Sequence, residues 1–476
     1  MLEKIFKLKE NGTDVKTEVI AGLTTFMTMA YIIALNPNLL TGFTANGGQE
    51  LWNAVFLATC IASAFGTILM AFIANKPFAM SAGMGLNSFF AVVVANIATI
   101  AGVSYLEGFR AGLCIILIEG IVFIILSALN VREKIVQAIP LGVRLGISPA
   151  IGLMLLNIGF GSNAGVYSET GGPFYAMANF FGSLTASYAK DTMGSGYPVM
   201  VLTVITMFVG LFTIVALDHK KVKGSVLYGI LTGSVIYWAG EYFVLHINPF
   251  ASLATASWLP PFKDMAALTL FKFDFNVLKS LGMFTVVTLV LTFCIIDMFD
   301  TIGTLVGTAS RASMLDENGN MPNMKEALLS DACGTVCGAL TGTSTITTFV
   351  ESASGVEAGG RTGLTSLVTG LIFLACMFIS PIAAIIPAAA TSSALIYVGI
   401  LMLQGLKNID FDDISVCVPV FIMLVAMPIS GSIGHGIGLG LIAYTIIKFI
   451  TGKAKEVSPL TLVLSILFLV KFFFAF

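Results

Sequence analysis

Apolar runs about as long as a membrane-spanning helix, which needs about 20 residues, recur along this chain from Thr17 to its end. The chain is 57% hydrophobic and 11% charged, whereas a soluble domain has about 25% charged residues. The sequence therefore predicts an all-α polytopic membrane protein and excludes an ordinary soluble domain.

The apolar segments can be placed from hydrophobicity alone, with ends that are soft by a few residues. The last segment, 458–475, does not fit a division of the chain into two halves of seven segments each. The predicted segments are 19–40, 52–74, 78–100, 108–129, 139–160, 197–217, 224–247, 282–310, 323–343, 346–358, 362–384, 388–406, 413–428, 433–451 and 458–475.

Two segments, 78–100 and 346–358, open in stretches that are rich in Gly, Pro, Ser or Thr, namely Pro77–Gly85 and Thr341–Thr348. Such a stretch is typical of extended backbone followed by a half-helix, which a membrane tolerates only inside protein or beside a cavity. These segments are third and tenth in order, so each is the third of a seven-span half. Matched interruptions in corresponding places indicate an inverted-repeat transporter and its binding site.

About 14 transmembrane segments are therefore expected, as two inverted repeats. We predict an N-terminal seven-span repeat over 1–247, an extracellular connecting loop over 248–281 and a C-terminal seven-span repeat over 282–451. Residues 452–476 are interpreted as an extra C-terminal apolar segment. The alternative is a re-entrant segment within 413–451.

Basic residues predict the orientation, because cytoplasmic loops are enriched in Lys and Arg. Seventeen of them lie in the N-terminus and in the loops and span ends after even-numbered spans, against five on the opposite side. We therefore expect a cytoplasmic N-terminus, with the long loops 161–196 and 248–281 outside, in the plasma (cytoplasmic) membrane.

Two carboxylates, Asp297 and Asp300, lie in the eighth apolar segment. A charge at bilayer depth costs about 3 kcal/mol by insertion scales, so it usually faces a partner, a cavity or a ligand. Two carboxylates one helical turn apart in a dry site disfavour double ionisation, so one of them can hold a proton. The alternative is that one acid caps a half-helix or pairs with Arg144.

A third acid, Glu351, lies in the second interrupted segment, directly after Thr347, Thr348 and Phe349. We interpret Glu351, Thr348 and Phe349 as candidate ligand contacts. The alternative is local, since Thr347 or Thr348 can cap the short helix and a carboxylate near a helix N-terminus is stabilised by the helix dipole.

The first interrupted segment contains Gly83, Gly85 and Asn87. Glycine lets backbone approach a ligand closely, and an asparagine side chain offers both a donor and an acceptor. Packing is the alternative for each of them. A flat heterocycle would stack on an aromatic ring near these segments, although any one such ring is also a plausible core residue; the candidates are Phe26, Tyr31, Phe89, Phe90 and Phe349.

Several functional classes are disfavoured by what the sequence contains. All seven cysteines fall in predicted spans, so no disulfide framework is expected. His, Cys and carboxylates show no metal-ligand spacing, and there is no Walker motif. We therefore expect no metal, no cofactor, no nucleic-acid partner and no enzyme activity.

Four motifs resemble the nucleobase–cation symporter (nucleobase–ascorbate transporter) superfamily, in its azaguanine-like branch of adenine, guanine and hypoxanthine permeases. They are Ala21–Ile32, Gly83–Asn87, Asp297–Leu305 and Thr347–Ser352. The resemblance implies core and gate domains, with short strands in segments 3 and 10 and a purine nucleobase between those strands and the eighth span. It also implies a homodimer.

The resemblance further implies that Asp300 holds the base, that Glu351 is the second acid and that Asn87 takes part in purine selection. Thr304 stands where uracil-type relatives place a histidine, so proton coupling would use a carboxylate, with Asp297, Asp300 and Glu351 as candidates. The expected activity is proton symport by an elevator-like mechanism. Sodium coupling, or an anion exchanger or channel on the same fold, is the alternative.

Overall fold

The structure is a computed structural model that describes residues 2–42, 44–129, 140–163, 196–254, 256–311, 314, 321–430 and 433–474. In this part of the chain, ten helices are long and apolar enough to cross a membrane, and two shorter apolar helices accompany them. The predicted all-α polytopic fold is confirmed. Most of the predicted outer loop 161–196 lies outside the described residues.

Nearly every predicted segment corresponds to one helix, and the two interrupted segments each contain a strand. A π-helical turn, Met70–Ala74, extends α4. The elements are α1 (Leu2–Phe6), α2 (Val15–Met29), α3 (Ile32–Leu40), α4 (Gly48–Leu69), β1 (Met80–Ala82), α5 (Met84–Ala101), α6 (Tyr105–Ala128), α7 (Leu141–Ile158), α8 (Gly196–His219), α9 (Ser225–Phe243), α10 (Phe262–Leu268), α11 (Phe275–Ser280), α12 (Met283–Arg311), α13 (Met324–Thr341), β2 (Ile346–Thr348), α14 (Ser352–Glu357), α15 (Gly363–Ala375), α16 (Ser380–Ala384), α17 (Ala388–Met402), α18 (Ile414–Ser430), α19 (Ile433–Ile450) and α20 (Pro459–Phe474).

The strands β1 and β2 pair with each other and are antiparallel, with Ser81 opposite Thr347. Each is followed by a helix, α5 or α14, as the interrupted segments predict. Unpaired backbone N–H and C=O groups at the strand edges would be costly at this depth, and side chains form hydrogen bonds with them. The Thr67 hydroxyl accepts a hydrogen bond from the Met80 N–H (2.9 Å) and donates one to the Met80 carbonyl (3.0 Å). Thr335 donates to the carbonyl of Ile346 (3.0 Å).

The long helices pack in two groups. In the first group α4 packs against α13 and α15, α6 against α13, and α2 against α14 and α15. In the second group α7 packs against α17 and α18, α8 against α9 and α17, and α18 against α19. Each group combines helices from both halves of the chain, as interleaved inverted repeats require. The repeat boundaries themselves stay predictions.

The first span is not the single helix over 19–40 that its hydrophobicity predicts. Helix α2 ends at Met29 and α3 begins at Ile32. The Thr28 hydroxyl, one residue before the end of α2, donates to the backbone carbonyl of Thr25 (2.8 Å). Back-bonding of this kind bends helices, and hydropathy does not register it.

The connecting loop and the C-terminal segment are both attached to the bundle. The N–H of Phe271 donates to the carbonyl of Leu340 (2.8 Å), and Arg110 Nε donates to the carbonyl of Leu268 (3.0 Å). Helix α20 packs on α19, where a Cβ built on Gly438 would lie 2.6 Å from the Phe468 ring. The loop is therefore docked on the first group through α10 and the residues beside it.

Candidate functional site

The strand pair is fixed to α12 by a hydroxyl contact. Thr301 Oγ1 of α12 lies 2.7 Å from Thr347 Oγ1 of β2. At the start of α5, a Cβ built on Gly83 would lie 2.5 Å from Thr347 Cγ2 and 3.6 Å from Asp300 Oδ2. Asp300 therefore lies beside the junction of both interrupted segments, although it is far from them in sequence.

Asp300 is partly exposed, and no hydrogen bond to its carboxylate occurs among the described residues. It interacts electrostatically with Asp297 and Glu351. Arg144 on α7 forms no ion pair with either aspartate in the described part of the chain, so this alternative is not found. Both Asp300 oxygens are left available to a ligand or a proton.

Asp297, one turn earlier on α12, has a different environment. It is fully buried, and its Oδ1 lies 3.0 Å from the Thr301 hydroxyl. The same hydroxyl lies 3.0 Å from Oδ1 of Asp331, a buried residue of α13. The two acids, one turn apart on this helix, therefore differ, because Asp297 contacts a buried network while Asp300 lies at its edge.

Glu351 is held by a tyrosine of the first span. The Tyr31 hydroxyl donates to Glu351 Oε1 at 2.5 Å. Glu351 itself occupies the N-cap of α14 and makes no capping bond, and Thr347 and Thr348 belong to β2. The predicted threonine cap is therefore wrong, although Glu351 does lie at the N-terminus of α14. The sequence predicts a stacking ring at Tyr31 and misses this hydrogen bond from Tyr31 to Glu351. The bond could have been anticipated, because the hydroxyl of a tyrosine buried in an apolar segment needs a hydrogen-bond partner.

The hydroxyl residues leading into β2 each bond a different helix, which explains why this run is so rich in Ser and Thr. Thr348 differs from the others, because its buried hydroxyl has no partner among the described residues. The partners are Asn36 of α3 for Thr343 (2.7 Å), Asn87 of α5 for Ser344, Glu119 of α6 for Thr345 (2.7 Å) and Thr301 of α12 for Thr347 (2.7 Å).

Asn87 and Gly85 both make protein contacts. Asn87 is fully buried; its Nδ2 donates to the carbonyl of Ala82 (3.1 Å) and its Oδ1 accepts from Ser344. A Cβ on Gly85 would lie 2.8 Å from Ile151 Cγ2. Asn87 therefore joins the two interrupted segments, and direct ligand contact by either residue stays a prediction.

The aromatic candidates lie around these elements. Phe26 is partly buried and packs edge-on against Phe373 of α15 (5.3 Å between ring centroids). Phe349 is buried, and its N–H donates to the carbonyl of Ala79 (3.0 Å). Phe89 packs on Phe293 of α12 (4.7 Å). Stacking of a ligand on Phe26 or Phe349 stays a prediction.

An acid in an apolar span that lies beside two broken spans of a polytopic bundle is typical of a membrane transporter. The permease family matches residues 16–433. The adenine permease AdeP of Escherichia coli is 36% identical over 476 residues, covering 100% of this chain and 96% of that protein. The guanine/hypoxanthine permease PbuO of Bacillus subtilis is 37% identical over 473 residues, covering 98% and 100%.

The chain therefore belongs to the permease family of nucleobase–ascorbate transporters, as the four motifs predict. It is a transporter and not an enzyme. The solved transmembrane domain of a cyanobacterial bicarbonate transporter, BicA, has a similar fold, with a TM-score of 0.60, 14% identity and coverage of 88% of this chain and 97% of that one. The inverted-repeat fold is thus confirmed.

Proposed function

We propose that this protein imports purine nucleobases across the cytoplasmic membrane by proton symport, with its N-terminus in the cytoplasm. The observation that carries the proposal is the Asp300 carboxylate, which lies beside the start of α5 with both oxygens free of hydrogen bonds from the described residues. The names of the relatives, adenine and guanine/hypoxanthine permeases, supply the ligand class.

The chemistry of a purine edge fits this arrangement. Ring and amino N–H groups donate to carboxylate oxygens, and ring nitrogens accept from backbone N–H groups. The first turn of α5 has N–H groups without intrahelical partners, as every helix N-terminus does. Asp300 and Glu351 would take the donors of the base, and the start of α5 would serve its acceptors.

Proton coupling follows from the same acids. Protonation changes a carboxylate oxygen from an acceptor into a donor, so proton binding and base binding at Asp300 or Glu351 must affect each other reciprocally. Asp297, in electrostatic range of Asp300, is the third candidate for the proton. Acidic side chains at the site would repel a small anion. We therefore do not propose anion exchange for this protein on the basis of its fold.

An elevator-like movement is the mechanism we propose. The elements that carry the site, namely β1, β2, α5, α12 and α14, are joined to the first helix group through α4, α6, α13 and α2. The second group also borders these elements, since α7 packs on α5 and α12 and α19 packs on α12, each less extensively than α6 does. Sliding of the first group against the second would carry the base across the membrane without dismantling the site. Assembly as a homodimer stays a prediction.

Uptake of labelled adenine, guanine and hypoxanthine tests the proposal, in cells that lack their own purine transport. We expect saturable uptake of at least one base, loss of uptake with a protonophore, and no change when sodium is replaced. Absence of uptake for every purine would remove the substrate assignment. Uptake that needs sodium and survives the protonophore would replace proton coupling with sodium coupling.

A further inference from the structure

Tyr31 lies at the break between α2 and α3, and its side chain is 2% exposed. Its hydroxyl donates to only one oxygen of Glu351, Oε1. We propose that Tyr31 is a positioning residue for ligand recognition, which commits one Glu351 oxygen and directs the other toward a single N–H of the base. The proposal rests on the function proposed above.

Helix α2, which ends just before Tyr31, packs closely on α14, which begins just after Glu351. A Cβ built on Gly355 of α14 would lie 2.0 Å from Thr25 Oγ1 of α2 and 2.8 Å from the carbonyl of Ala21. The Thr28 hydroxyl lies 3.4 Å from the backbone carbonyl of Glu351. Helix α2 and the half-helix that begins with Glu351 therefore form one tightly fitted unit, which fixes the backbones next to the buried Tyr31 and its partner Glu351.

The chemistry of this pair is directional. A phenol that donates to an ionised carboxylate forms a short, charge-assisted hydrogen bond, typically about 2.5–2.7 Å. Such a bond fixes the carboxylate plane, since Oε1 must stay on the side of Tyr31. Glu351 then offers one oriented acceptor, whereas Asp300, which has no hydrogen bond from the described residues, offers two.

The test is the substitution Tyr31→Phe, which keeps the ring and removes the hydroxyl. Tyr105→Phe is the matched control, because its hydroxyl also makes one hydrogen bond (2.7 Å) but to the backbone carbonyl of Leu40. Equilibrium binding of hypoxanthine and guanine is measured on purified full-length protein. We expect Kd to rise about 10-fold to 100-fold in Tyr31→Phe and to change less than about twofold in the control.

A ligand series separates positioning from general damage. The 1-, 7- and 9-methyl derivatives of the base each lack one N–H. Where the missing N–H is the one that Glu351 accepts, Tyr31→Phe should cost no further affinity. An equal rise in Kd for the parent base and every derivative would overturn the proposal, and so would an unchanged Kd for the parent.

A second variant covers the case in which Tyr31→Phe does not fold. In Glu351→Gln, the amide oxygen takes the Tyr31 hydrogen bond, so the amide NH₂ faces the ligand. At least one of the three methyl derivatives should then lose most of the affinity disadvantage that it has with the wild type. A disadvantage of unchanged size for all three derivatives would refute the proposed orientation of Glu351. If wild-type protein binds no purine at all, the proposed function fails instead, independently of Tyr31.

Discussion

Gly83→Ala is the most informative single substitution at the site where the β1–β2 pair meets α5 and α12. Gly83 has φ −65° and ψ 127°, which any residue adopts, so the substitution adds no backbone strain. The new Cβ would stand 2.5 Å from Thr347 Cγ2, about 1 Å closer than two carbon atoms pack at their optimum. Thr347 cannot turn away without losing its 2.7 Å contact with Thr301, and β-branched side chains have few alternative rotamers.

The expected effect of Gly83→Ala on stability and uptake follows from this overlap of about 1 Å. Overpacking of this kind costs about 1–3 kcal/mol in stability. A displacement of about 1 Å at a functional centre lowers the rate roughly 100-fold, so uptake should fall between about 10-fold and 100-fold. The assay is initial-rate purine uptake, normalised to protein in the membrane, with the thermal unfolding midpoint measured in detergent.

A compensating change makes the geometry testable. Thr347→Ser removes the clashing methyl and keeps the hydroxyl that contacts Thr301, at a cost of about 0.8 kcal/mol for one buried carbon. Gly83→Ala with Thr347→Ser should therefore recover most of the uptake. Gly233→Ala on α9 is the control, because its Cβ would approach no atom closer than 3.2 Å. Wild-type uptake in Gly83→Ala, or no recovery in the double variant, would refute the packing argument.

Three further substitutions test the roles of the two acids and of Thr304, which lies one turn after Asp300 on α12. Asp300→Asn should reduce uptake about 100-fold, as expected when a charged hydrogen-bond partner of the ligand is lost, while membrane abundance stays normal; near-normal uptake would remove Asp300 from the site. Glu351→Gln should likewise reduce uptake sharply, and Tyr31 should keep the variant folded, which an unfolding midpoint checks. Thr304→Ala should lower uptake only mildly, and an inactive protein would show that Thr304 contacts the ligand.

The membrane spans and their two interruptions were predictable because they are local signals. Gly, Pro, Ser and Thr contrast sharply with the apolar sequence around them, so residues 78–100 and 346–358 could be recognised without knowing what they pack against. The antiparallel pairing of Ser81 with Thr347 confirms this interpretation. Asp300 and Glu351 could be identified as site candidates because a charged side chain in an apolar span is energetically costly and is therefore usually functional.

The contacts between distant segments were not predictable in the same way. Tyr31 and Glu351 are 320 positions apart, and their contact depends on the packing of α2 against α14. Asn87 has the composition of a ligand contact, yet its amide is used between the two interrupted segments. Asp297 and Asp300 lie one turn apart, yet Asp297 is buried beside a hydroxyl that also contacts Asp331 of α13, whereas Asp300 is partly exposed. Such partner choices depend on three-dimensional packing, which residue type and spacing do not specify.

A density map of the purified protein with bound guanine tests the central claim most directly. The account predicts the planar ring between the β1–β2 pair and α12, with an N–H of the base within hydrogen-bond distance of the Asp300 carboxylate and another facing Glu351. A ring bound within the second helix group, or an Asp300 carboxylate turned away from the base, would contradict it.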